Sequence, residues 1–134
     1  MLESYRVIHD TVAVKLKVSK GKAMSYARIP AVAGAFYPGS GSALKAAVDR
    51  YLADAEPGPE HPKALILPHA GYIYSGPVAA SGYVYLKKIA ERIQRVILIG
   101  PSHWESYPHI FASGASWFST PLGRVPVDME LRHR

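Results

Sequence analysis

Apolar and polar positions follow three patterns along the chain. Over residues 12–18, "VAVKLKV", they alternate, which is the period of a half-buried strand. Over residues 42–55 they recur at steps of three and four. Leu44, Ala47, Val48, Tyr51, Leu52 and Ala55 then share one face, which predicts a helix. Ser40 or Ser42 can cap its first free N–H groups, and "EPGPEHP" ends it because proline cannot continue a helix. Two short runs, "KALIL" at 63–67 and "RVILIG" at 95–100, are apolar without alternation, as strands covered on both faces of a parallel sheet are. Residues 77–93 between them predict a second helix. Pro77 suits its first turn, and Val78, Tyr85, Leu86, Ile89 and Ile93 form its apolar face. Gly82 weakens that helix by about 1 kcal/mol relative to alanine, so a close packing contact is expected there.

Less regular segments flank this centre. "RIPAVAGAFYPGSG", residues 28–41, reads as loop because of its prolines and glycines. "HIFASG", residues 109–114, predicts a third strand. "STPLGRVPVD", residues 119–128, predicts a turn at 121–123 and then a short strand, with Pro126 on a sheet edge. Asp128 is placed to cap a helix starting at Met129. Only six residues follow Asp128, so the segment reads as the N-terminal half of a longer domain, truncated at Arg134. Residues 1–24 differ in character and end in the flexible "SKGKAMS", so they read as an N-terminal extension to a domain over 25–134. The strand–helix–strand order over 63–100 is a βαβ unit with a right-handed crossover. The fold class expected is therefore α/β, with a central, mostly parallel sheet flanked by helices.

Composition narrows the function classes. The chain has 134 residues, 49% of them hydrophobic and 19% charged, as in a globular domain. No apolar run approaches the roughly 18–20 residues of a membrane span. The N-terminus lacks a secretory signal pattern, so the expected location is cytoplasmic. There is no cysteine, which rules out a disulfide or a thiolate ligand within this chain. The net charge of +6 is scattered, and no basic motif with interleaved aromatics accompanies it, so no nucleic-acid partner is expected.

The chemistry lies where the two apolar runs end. "LPHAGY" and "IGPSH" put His69 and His103 each just beyond the C-terminal end of a predicted strand. Adjacent parallel strands end on one edge of a sheet, and ligands of open α/β sheets bind at that edge. Neutral imidazole is a common ligand for iron, copper, zinc and nickel. One histidine after a strand is ordinarily a hydrogen-bonded loop residue, whereas two in matching positions make a candidate metal site. His61, His109 and His133 lack such placement, and His9 falls in the extension. Tyr72 and Tyr74 alternate with Ile73, so the spacing allows either that one of them lines a pocket while the other packs, or that both are structural aromatics. A rival use of the same pocket is binding an anion or a peptide at the N-terminus of the second helix, whose free N–H groups favour negative charge.

Four motifs in series, "RIPAVAGAFYP", "LPHAGYIYSGPVAASGY", "VILIGPSH" and "FSTPLGRVPVD", resemble the Memo family over about residues 28–131. Its bacterial and archaeal members are called AmmeMemoRadiSam system protein B. The family is similar to the catalytic subunit of class III extradiol dioxygenases, which are non-haem iron enzymes. The resemblance implies that fold and a mononuclear metal site with His69 and His103 as ligands. Iron would be the metal, with copper as the alternative. Phe36 and Tyr74, with Ser102 of the "VILIGPSH" motif, are implied as pocket residues. A third ligand, a cysteine in some members, is implied to lie beyond the matched motifs and is absent from this chain. Many members carry a second histidine where this chain has Trp104. The resemblance also implies association with a radical-SAM system. The substrate, whether small molecule or peptide, is left open, as is a non-catalytic binding role.

Overall fold

The computed structural model describes residues 7–8, 11–12, 26–59, 61–103 and 112–132. Strands β1 (Val7–Ile8) and β2 (Thr11–Val12) pair antiparallel. The rest of the alternating stretch predicted at 12–18 lies outside the described residues. A second sheet has the order β3 (Ala27–Arg28), β4 (Trp117–Thr120), β5 (Gly123–Pro126). β3 runs parallel to β4, and β4 runs antiparallel to β5. The turn expected at 121–123 joins β4 to β5. Thr120 pairs with Gly123, and the Thr120 hydroxyl donates to the Gly123 carbonyl at 2.8 Å. Gly123 takes φ 126°, a conformation that glycine adopts without a Cβ clash. β5 is an edge strand, the place where Pro126 is tolerated.

β3 and β4 depart from the sequence reading. β3 opens a segment read as loop, and β4 falls just ahead of the expected turn, where no strand is predicted. "WFST" combines aromatic and β-branched residues ahead of a turn, the composition of a half-buried strand. Across the pair, the Arg28 guanidinium sits 5.8 Å from the centroid of the Phe118 ring. In the segment expected as a third strand, residues 109–111 lie outside the described residues, and 112–114 carry no strand.

Helix α1 (Gly41–Ala53) matches its prediction closely. Ser40 is the cap, its hydroxyl oxygen accepting from the Ala43 N–H at 3.3 Å. Leu44 on its apolar face has no exposed surface. Helix α2 (Tyr72–Lys87) begins five residues earlier than proline placement predicted, and Pro77 lies inside it. The buried face is also a different one: Tyr72, Ser75, Gly76, Ala79, Ala80 and Val84, while Val78 is 60% exposed. The largest side chains misled the periodicity. Small ones let α2 approach α1, and at Gly76 a Cβ would stand 2.8 Å from the Tyr51 ring. The close contact expected at Gly82 is present, because a Cβ there would overlap Leu67 Cδ2. A 3₁₀ turn, Ala90–Arg92, follows α2, and α3 (Met129–Arg132) starts at the predicted point. The Asp128 carboxylate caps α3, accepting from the Glu130 N–H at 3.0 Å.

The predicted strands at 63–67 and 95–100 are the main correction. Neither carries a strand ladder, so the described residues show an α/β arrangement with a small mixed sheet rather than a central parallel one. Ile66, Ile97 and Ile99 are 101%, 72% and 84% exposed. A strand apolar on both faces is stable only with neighbours to bond and a layer on each side. Among the described residues, α1 and α2 supply a layer on one side only. The core sits elsewhere, around Tyr37, Leu44 and Tyr72, with Val32, Ala33, Ala47, Val48, Tyr51 and Leu122 packed against it. It joins the loop before α1, both long helices and the β4–β5 turn.

Candidate functional site

The loop carrying His69 is built by the start of α2. Gly71 lies against the backbone of Phe36, where a Cβ would come within 3.3 Å of the Phe36 carbonyl oxygen. That approach lets the Tyr72 N–H donate to the Phe36 carbonyl at 2.8 Å. The buried Ser75 hydroxyl donates to the Ala70 carbonyl at 2.8 Å, fixing the residue next to His69. Tyr72 is wedged between two rings, 5.9 Å from the centroid of Tyr37 and 6.0 Å from that of Tyr51. The Tyr51 hydroxyl donates to the Tyr72 carbonyl at 3.3 Å. The segment Pro68-His69-Ala70 is thereby tied to the core although His69 itself is exposed.

His103 reaches the same point at the end of the 95–103 segment. The Nε2 atoms of His69 and His103 are 3.1 Å apart, and the ring centroids 5.1 Å apart. The two residues are brought together even though their segments form no parallel sheet. The separation suits one N–H···N hydrogen bond, in which one ring donates and the other offers a lone pair. It equally suits two neighbouring ligands of one ion. His69 and His103 would then hold the ion through their Nε2 atoms, imidazole nitrogen being a usual ligand of first-row metals. Among the described residues, no group of three or more His, Cys, Asp and Glu side chains comes together. The pair therefore offers two donors and leaves the remaining positions open.

Both histidines line a cleft of about 1110 Å³ between the two long helices and the 62–69 and 92–103 segments. Its walls are mainly apolar, with Tyr51, Leu52, Leu65, Leu67, Tyr83 and Leu98 among them. Tyr72 rather than Tyr74 borders the cleft, and Tyr74 is 78% exposed. Phe36 and Ser102 are exposed and lie outside the lining, although Phe36 abuts Gly71 through its backbone. Helix α2 does begin beside this site. Its first amides are largely engaged, because Tyr72 donates to Phe36, and Tyr74 and Ser75 both donate to the Gly71 carbonyl. Ser75 escaped the sequence reading. Its signal was a lone hydroxyl on the small-residue face of α2, visible only once that face was known.

The fold and site define a class: an α/β chain with an imidazole pair lining a mainly apolar cleft. Comparison with known proteins gives the family. The family described as Memo-like protein matches residues 28–134. A MEMO1 family protein of Thermotoga neapolitana is 40% identical over 114 residues, covering 77% of this chain and 41% of that protein. One from Aquifex aeolicus is 43% identical over 109 residues, covering 80% and 39%. One from Sulfurisphaera tokodaii is 42% identical over 118 residues, covering 78% and 40%. The chain belongs to the Memo family. It spans about two fifths of the length of these relatives.

Proposed function

We propose that His69 and His103 supply two nitrogen ligands to a mononuclear metal centre of the extradiol-dioxygenase type, with iron the first candidate and copper the second. The observation that carries this reading is the 3.1 Å separation of the Nε2 atoms, which come from residues 34 apart in sequence. Several features support it. Both rings are exposed, so an ion reaches them from solvent. The loop carrying His69 is held by the Ser75–Ala70 and Tyr72–Phe36 hydrogen bonds, so little ordering remains to be done on binding. The apolar cleft beside the pair suits the body of an aromatic or other apolar substrate. A bound iron or copper ion would supply Lewis acidity and redox chemistry toward oxygen there. This chain's own residues hold the ion, shape the cleft and exclude water along its apolar wall. Further ligands, from solvent or from outside the described residues, complete the sphere.

The test is metal content together with titration of iron(II) under anaerobic conditions and of copper(II) in air. The unsubstituted chain should bind close to one equivalent. His69→Ala and His103→Ala should each weaken binding by about tenfold or more, since each removes one histidine donor. Absence of binding above background, with both variants indistinguishable from the parent, would overturn the reading. A non-catalytic pocket for an anion or peptide is less well supported. The Tyr72, Tyr74 and Ser75 amides that would face such a ligand already have carbonyl acceptors. Ligand binding that persists in the presence of a chelator would favour that alternative.

A further inference from the structure

The segment that carries His103 is fastened differently from the loop that carries His69. Residues 93–103 form no helix or strand. Two polar contacts mark their ends. At the far end His103 meets His69. At the near end Arg95 Nε donates to Asp128 Oδ2 at 3.0 Å. The Asp128 side chain is only 11% exposed, while that of Arg95 is 55% exposed. The other oxygen of the same carboxylate, Oδ1, caps α3 through the Glu130 N–H. Asp128 directly follows Val127, whose N–H donates to the Ser116 carbonyl at 2.9 Å. It is therefore anchored to the β4–β5 sheet. Arg95 and both histidines line the same cleft.

We propose that Asp128 is a positioning residue for the histidine pair. Through Arg95 it ties the start of the 95–103 segment to the sheet, so that the segment arrives at His69 in a restricted set of conformations. One oxygen of the carboxylate serves the arginine and the other the helix cap, and these two tasks are separable. Metal binding as a consequence rests on the reading of the histidine pair given above, but the fastening does not. A charge-assisted bond at a partly shielded carboxylate is stronger than an exposed ion pair, so its loss is felt along the segment.

Asp128→Asn separates the two tasks, because asparagine still caps a helix but carries no charge. Hydrogen–deuterium exchange should rise in peptides covering 95–103 and stay unchanged in those covering α1. Copper(II) should bind at least about threefold more weakly, the share of a charge-assisted bond that passes along the segment. Arg95→Gln leaves the cap intact and should reproduce both effects. The double variant should be no worse than either single one, since both remove the same contact. Unchanged exchange over 95–103 in both single variants would overturn the proposal, as would additive effects in the double variant. A general rise that includes α1 would also overturn it, by showing a purely structural role. If the parent chain binds no copper, the metal reading fails while the exchange arm still decides the fastening.

Discussion

At the scale of single residues, two glycines of α2 show how identical substitutions diverge. At Gly76 an added Cβ meets the Tyr51 ring at 2.8, 3.0 and 3.2 Å. That ring is packed edge-on to Tyr72 and bonded to its carbonyl, so it cannot turn aside without disturbing the core. At Gly82 the added Cβ meets only the tip of Leu67, which borders the open cleft and can swing into it. Alanine gains about 1 kcal/mol of helix propensity at either site. Overpacking costs about 1–3 kcal/mol where neighbours cannot move. Gly76→Ala should therefore lower the thermal midpoint, and Gly82→Ala should leave it unchanged or raise it slightly. Thermal unfolding of both variants checks the contrast, and equal shifts would refute it. His69 and His103 themselves were legible in the sequence, because a histidine at the end of each apolar run needs no coordinates to be noticed. Arg95–Asp128 was not legible, since nothing in the sequence links residues 33 positions apart.

At the scale of elements, the sequence specified helices well where caps and faces agreed. Ser40, the face of α1 and the Pro-rich exit all point one way, and α1 forms as expected. In α2 the cues conflicted. Pro77 suggested a start, yet the helix begins at Tyr72, so the proline occupies the sixth helical position. There it has no N–H to give to the Ile73 carbonyl, a loss worth up to about 3 kcal/mol in a helix interior. The early start is supported by contacts distant in sequence, namely the Phe36 carbonyl and the aromatic trio, and by the local bond from the Ser75 hydroxyl to the Ala70 carbonyl. Pro77→Ala should accordingly raise stability by about 1–2 kcal/mol, the restored bond being partly offset by a more flexible unfolded chain. Chemical denaturation measures it, and destabilisation would mean that the proline ring makes a contact that matters more than its missing donor.

At the scale of the whole molecule, the histidine pair is reached by a route other than the one expected. A parallel sheet was to deliver both rings to one rim. The rings do meet, but the two segments run beside the helices without a ladder, and their apolar residues face outward at Ile66, Ile97 and Ile99. No helix among the described residues is long and apolar enough to cross a membrane, so this apolar surface is not a spanning helix. Exposed apolar surface binds hydrophobic dyes and promotes association. The chain should enhance the fluorescence of anilinonaphthalene sulfonate, and Ile97→Lys with Ile99→Lys should reduce that signal without changing helix content by circular dichroism. No enhancement in the parent chain would show that these residues are covered.

By itself the sequence determined the alternation of helix and apolar segment, the caps of α1 and α3, the β4–β5 turn, the family motifs and the two histidines worth watching. Each is written in local spacing or in the chemistry of one residue. Only the tertiary structure decided the start and buried face of α2, the pairing of β3 with β4, the absence of a ladder at 63–67 and 95–100 among the described residues, and the approach of two imidazoles to 3.1 Å. Those outcomes depend on which surfaces find partners, and local pattern does not specify partners. An apolar run states that it must be covered, while packing alone determines by what.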